Sequence, residues 1–232
     1  MYEGSNYIYL VNSAPLGGDF LTLRKLSNCS TSPTITTSNI PVDLYDDPPK
    51  ATQKDTSVLV STSSAKLIQA EYRNAGLLTA HTINRDGRAA IRWYEINPDN
   101  ANLWQSGTLA SASSHYYFPS LAIDNSGNFG MVFNSSSSTQ YISIRATGRA
   151  FTDQIGTLEV SQLVKGGSGP YTVHDPAAGF ARWGDYSGTS IDPNGIDFWM
   201  YHMYAKDNNT WGSWITRASY FTEKTYIPLV TK

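Results

Sequence analysis

Arg182, Trp183, Asp185 and Tyr186 lie within five positions of one another, in "ARWGDYSG". They form one compact knot of polar and aromatic side chains. A guanidinium fork can clamp a carboxylate or sulfate. An indole can stack on a sugar ring. An aspartate can serve as acid, base or calcium ligand. The same residues also suit a plain structural corner, with Arg182 paired to Asp185, Trp183 in a core and Gly184 easing a bend. Glycoside hydrolysis needs paired carboxylates, and Glu71, Asp124, Asp175, Asp185 and Asp192 are available. Asp124 and Asp192 precede glycine turns and read as turn caps. That leaves Glu71, Asp175 and Asp185. As an enzyme the chain would use Asp185, Glu71 and Tyr186, with Arg182 holding an anion. His174, in "HDP", is the histidine best placed for function.

The scaffold for these groups is bounded by composition. The chain has 232 residues, 40% hydrophobic and 16% charged, so it buries a sizeable core and is not disordered. A net charge of −2 and the lack of a basic stripe argue against nucleic acid and against a membrane-surface role. No apolar run approaches the ~20 residues of a membrane span. The one cysteine, Cys29, has no partner for an internal disulfide and reads as a loop or strand residue. His81, His115, His174 and His202 lack ligand spacing, and no cofactor fingerprint occurs, so neither metal nor cofactor is expected. "MYEGSNYIYLV" opens directly on a turn and strand, as at a cleavage point or fragment boundary. Asn28, Asn134 and Asn208 head glycosylation-type sequons.

Helical periodicity is nearly absent, and short alternating segments with turn signals dominate. Three segments share one pattern: "LIQAEYRNAGLLTAHTIN" (67–84), "FPSLAIDNSGNFGMVFNS" (118–135) and "DYSGTSIDPNGIDFWMYH" (185–202). Each runs toward a polar residue, turns at Gly76, Gly127 or Gly195, and continues as an apolar strand. "YEGSNYIYLVNS" (2–13) matches the second half of a fourth copy. A further strand follows each, carrying Arg24, Arg92, Arg145 or Arg217 on one face, which suits an exposed or sheet-to-sheet salt-bridge ladder. Such repeats predict an all-β protein, a β-propeller of about four blades at 1–45, 46–110, 111–165 and 180–232, within one domain, 1–232. The Pro-, Ser- and Thr-rich runs 30–56 and 164–181 read as loops or crossings.

Blade mouths are where propellers bind ligands. Arg182 and Trp183 would sit at one mouth, beside Glu71 and Arg73 of the second repeat and His115, Tyr116, Tyr117 and Phe118 of the third. That ring of aromatic and polar groups predicts a carbohydrate platform.

"YFPSLAIDNSGNFGMVF", "RWGDYSGTSIDPNGIDFWMYHMYA" and "WGSWITRASYF" resemble blades of a group of secreted bacterial β-propeller proteins, as do "QAEYRNAGLLTAHTINRDGRAAIRWYEINP" and "GSGPYTVHDPAAGFARWGDYS". The likeness covers about 45–221 and is to the C-terminal half of that group. "SIDPNGIDFW" is similar to the Asp-box turn of sialidase-like propellers, with its spacing stretched. The resemblance implies a secreted protein. Three roles follow: a module binding a glycan or protein partner, a glycoside hydrolase, or an assembly protein pairing through blade edges. Four partial blades also imply missing N-terminal blades or a homo-oligomer, with "TYIPLV" near the C-terminus as a closing strand.

Overall fold

The computed structural model describes residues 7–174, 176–184, 186–207 and 209–219. They form sixteen strands and no helix; none of the structure is a helix long and apolar enough to cross a membrane. The first antiparallel sheet has β1 (Tyr7–Ser13), β2 (Gly17–Ser27) and β3 (Thr34–Asp46) in that order. After the short β4 (Leu59–Val60) comes the second sheet, β5 (Gln69–Arg73), β6 (Gly76–Arg85), β7 (Arg88–Asn97) and β8 (Asn102–Leu109). The third is β9 (His115–Ile123), β10 (Phe129–Ser137), β11 (Gln140–Arg149) and β12 (Gln162–Lys165). β13 (Phe180–Ala181) pairs parallel with β4. The fourth is β14 (Gly188–Ile191), β15 (Asp197–Ala205) and β16 (Trp211–Ser219).

The sheets pack in series, because their middle strands are apolar on both faces. On β6, Leu77 and Ile83 join Leu21, Leu23, Ile40 and Tyr45 of the first sheet. Leu78 and Ala80 point the other way, with Trp93, against Leu121, Phe129 and Met131 of the third sheet. The third sheet turns Ala122, Val132 and Ile144 onto Phe198, Met200 and Ala218 of the fourth. The first hairpins of sheets two to four line up at one end. There the Asn74 amide donates to Asp124 O at 3.4 Å and Asn125 N donates to Gly195 O at 3.1 Å. The other end is filled by the long connections, whose Ala51, Val60 and Trp183 pack with Tyr117, Phe118 and Ala205.

The run 30–56 was expected to be loop, yet β3 occupies Thr34–Asp46 of it. "TITTSNIPVDLYD" alternates β-branched and polar residues. Pro41 lacks an N–H but sits on an edge strand, opposite Phe20 where the register slips. The four arginines fall on β2, β7, β11 and β16 as expected, but among the described residues only Arg217 meets a carboxylate, that of Asp197. Arg92 Nη1 donates to Asp43 O and Leu44 O, both at 3.1 Å, tying the second sheet to the first. Arg145 Nη2 donates to Ser161 O at 2.7 Å, and Arg24 Nη1 to Asn12 Oδ1 at 2.5 Å.

Candidate functional site

The "RWGDYS" corner is held by packing. Trp183 is 3% exposed, donates its indole N–H to Asn134 Oδ1 at 2.7 Å and meets the Tyr171 ring edge-on at 4.9 Å. A buried indole has no face for a sugar, so the expected stacking role is replaced by a core role. Arg182 is exposed, and Tyr186 is 69% exposed beside this corner. Asp185, like Asp175 and the "TYIPLV" segment, lies outside the described residues. Gly184 has φ +82°, and a Cβ there would come within 2.0 Å of the Phe118 ring. Phe118 itself has φ +55°, so it has little freedom to yield. Gly184→Ala is expected to cost about 3 kcal/mol, from overpacking plus a left-handed backbone. Urea denaturation checks this; a loss under about 1 kcal/mol would mean the Phe118 ring swings aside freely.

The expected single ring of residues divides between the two ends of the sheets. Tyr117 is wholly buried, its hydroxyl donating to Ser136 Oγ at 2.8 Å. His115 is buried and accepts the Ala89 N–H at Nδ1, 3.1 Å. Tyr116 leans half-buried on Phe133, 5.0 Å between centroids. These residues begin β9. Glu71 and Arg73 end β5, at the hairpin end, where Glu71 takes a backbone hydrogen bond from Ile123, the last residue of β9. At ~3.3 Å per residue, Tyr116 and Ile123 are over 20 Å apart along the strand. The cause is register. Tyr72 pairs with Leu77 as Ile123 pairs with Phe129, so Glu71 and Arg73 match the exit of β9 and not its start. His174 is exposed in its loop, Nδ1 2.6 Å from Thr172 O.

The hairpin end holds a different feature, a cleft of about 590 Å³ between the second and third sheets. One wall is β7 and β8. Glu95 pairs with Gln105 while Ile96 pairs with Leu103, so Trp104 is an extra, bulged residue, re-aimed as bulges do. Its ring lies over Gly76, where a Cβ would be 3.0 Å from Cζ3 and 3.4 Å from Glu95 Oε1. Trp104 stays 45% exposed. Gln105 donates to Glu95 Oε2 at 2.5 Å and accepts from Gly156 N at 3.1 Å, linking the walls. The other wall is the β11–β12 connection. Phe151 covers Gly127 and is 67% exposed. Its N–H is fixed by Asn128 Oδ1 at 2.9 Å. Asp153 Oδ2 accepts Ala150 N–H at 2.8 Å, and Arg149 donates to Ala150 O and Asp153 O at 3.1 and 2.8 Å.

Glu71 and Arg73 abut this cleft from behind. Arg73 Nη1 donates to Asn125 Oδ1, a cleft residue, at 2.5 Å. Arg73 Nε is 3.6 Å from Glu71 Oε1. Burial nonetheless pushes the Glu71 carboxyl up, against the opposing pull of the Ile123 N–H and Arg73. The residues that sequence reasoning passed over are Glu95, Trp104, Gln105, Arg149, Phe151 and Asp153. The one available signal was a tryptophan among polar neighbours in "NLWQSG". Among the described residues, no three His, Cys, Asp or Glu side chains gather as a metal site. No family model matches the chain, and no curated protein matches it.

The cleft's side chains are of types that can stack on flat rings and bond hydroxyl groups. The cleft pairs two large exposed rings with carboxylate and amide oxygens held in place by their own hydrogen bonds.

Proposed function

We propose that the chain is an arc of a secreted β-propeller that binds a glycan in the cleft between its second and third blades. Trp104 and Phe151 carry this reading: two exposed aromatic rings, fixed over glycines, beside polar groups already oriented. Rings so placed stack on pyranose faces while Glu95, Gln105 and Asn74 meet hydroxyls. The propeller reading is supported by the serial stack and by the first strands β5, β9 and β14 lying side by side. Exposed Leu10 and Ile35 on the first sheet, and Trp211 and Ile215 on the fourth, suit faces where further blades or a second copy pack.

Hydrolysis is the second reading, favoured by one observation. Glu71 and Glu95 both pair with Leu78 from opposite sides, so they share a face, two strand spacings or about 9.5 Å apart at the backbone. That is the scale of an inverting carboxylate pair. One experiment covers both readings: a glycan array followed by calorimetry and reducing-end release on the hits. Trp104→Ala is expected to weaken binding about 30-fold, near 2 kcal/mol, with an unchanged circular-dichroism spectrum. Unaltered affinity removes the cleft from the binding reading. Sugar release abolished by Glu95→Gln moves the protein to the hydrolase class.

A further inference from the structure

We infer that the cleft prefers a sugar bearing a neutral amide, an N-acetylhexosamine unit, which rests on the glycan-binding reading above. The argument begins with Arg149, the last residue of β11. It lines the cleft, is 4% exposed and makes no ion pair among the described residues. Two of its nitrogens are spent on the carbonyls of its own loop, Ala150 O and Asp153 O. Its Nε is buried with no partner. That places a guanidinium with no carboxylate partner among the described residues in the cleft wall, and each of its terminal nitrogens keeps a second N–H beyond the one given to its loop, so an acceptor oxygen brought by the ligand has donors to meet here.

The other lining charges decide what kind of acceptor. Glu95 and Asp153 are both in the cleft. Two carboxylates face one guanidinium, so an anionic sugar meets net repulsion. A protonated amino sugar is drawn to the carboxylates but opposed by Arg149. A neutral amide satisfies both kinds of group. Its carbonyl accepts from Arg149, and its N–H donates to a carboxylate, which retains lone pairs after the single bond each makes here. Its methyl group lies against Ile123, Phe151 and Ile155, the apolar part of the lining.

The test is calorimetric titration of the full chain with four β-linked oligosaccharides of equal length, built from N-acetylglucosamine, glucosamine, glucose or glucuronate. The N-acetyl oligomer is expected to bind at least tenfold more tightly than the glucose oligomer. That ratio is expected to fall below threefold in Arg149→Gln. Asp153→Asn, which keeps an oxygen for the Ala150 N–H, is expected to reduce the same ratio and serves if Arg149→Gln fails to fold. Equal or tighter binding of the glucose, glucosamine or glucuronate oligomer overturns the amide preference and leaves glycan binding standing. No binding of any of the four also overturns the amide preference, while the glycan array and Trp104→Ala decide the glycan-binding reading separately.

Discussion

Acidification from pH 6.5 to 4 is expected to remove about 5 kcal/mol of stability through two buried histidines, in about equal shares, before the smaller opposing contribution of Glu71. His81 and His202 are wholly buried, and burial pulls both imidazoles down to about 4. His81 binds Ala65 O through Nδ1 at 2.8 Å and the Tyr94 hydroxyl through Nε2 at 3.0 Å, with Arg92 adding repulsion to a second proton. His202 donates from Nε2 to Phe118 O at 2.9 Å and accepts the Met203 N–H at Nδ1, 2.9 Å. A proton on Nδ1 would set two donors against each other. The sign follows from proton counts. Between pH 6.5 and 4 the unfolded chain carries protons on these rings and the folded chain does not. Stability is therefore full above about 6.5 and declines as pH falls toward 4. Glu71 works in the opposite direction, since its raised carboxyl favours the folded state as acid is added. Asp197, held low by Arg217 and Asn194 against its own desolvation, gives up its contribution only below the usual carboxylate range. Urea midpoints measured from pH 4 to 8 check the slope, and His202→Gln should remove about half of it. A flat profile in the parent protein would refute the neutral-histidine account.

Asn134→Ala is expected to destabilise the fold by about 5 kcal/mol, in the range reserved for broken buried networks. The Asn134 side chain is fully buried. Its amide donates to Ser143 O at 3.1 Å and to Met203 O at 2.8 Å, while its carbonyl accepts the Trp183 indole at 2.7 Å. One side chain thus fastens the third sheet, the fourth sheet and the long connection before β14. Alanine orphans three buried groups, at about 1–3 kcal/mol each. For a chain of this length the melting temperature should fall by about 10–20 °C. A double-mutant cycle with Trp183→Phe should show coupling of about 1–3 kcal/mol. A single-mutant loss under about 1 kcal/mol would mean that water replaces the amide.

The repeating part of the fold was readable because each hairpin advertises itself. Gly127 and Gly195 carry positive φ, and Asp124 and Asp192 cap their turns with 2.8 and 2.9 Å bonds to Ser126 N and Asn194 N. In the first full repeat the same bend is made by Asn74 and Ala75, at φ 51° and 62°. Gly76 only looked like the counterpart of the later turn glycines and instead opens β6. Glu71 was set at the wrong end because it was grouped with the residues that begin β9, although it stands three residues before the bend at Asn74. β3 was hidden by its serines, threonines and proline, which count as loop by composition while alternating as strand. The role of Trp183 depends on a residue 49 positions away, a contact no local pattern encodes. The cleft was least legible of all. It needs a bulge at Trp104, a defect in period-two alternation, and a connection that folds back over Gly127.

Asn134 also heads the motif Asn-Ser-Ser. In a cell that attaches oligosaccharides to emerging chains, the transferase competes with formation of the third sheet for this amide nitrogen. A chain modified there could not bury the position, so production in such a host yields a mixture in which occupancy at Asn134 marks the molecules that failed quality control.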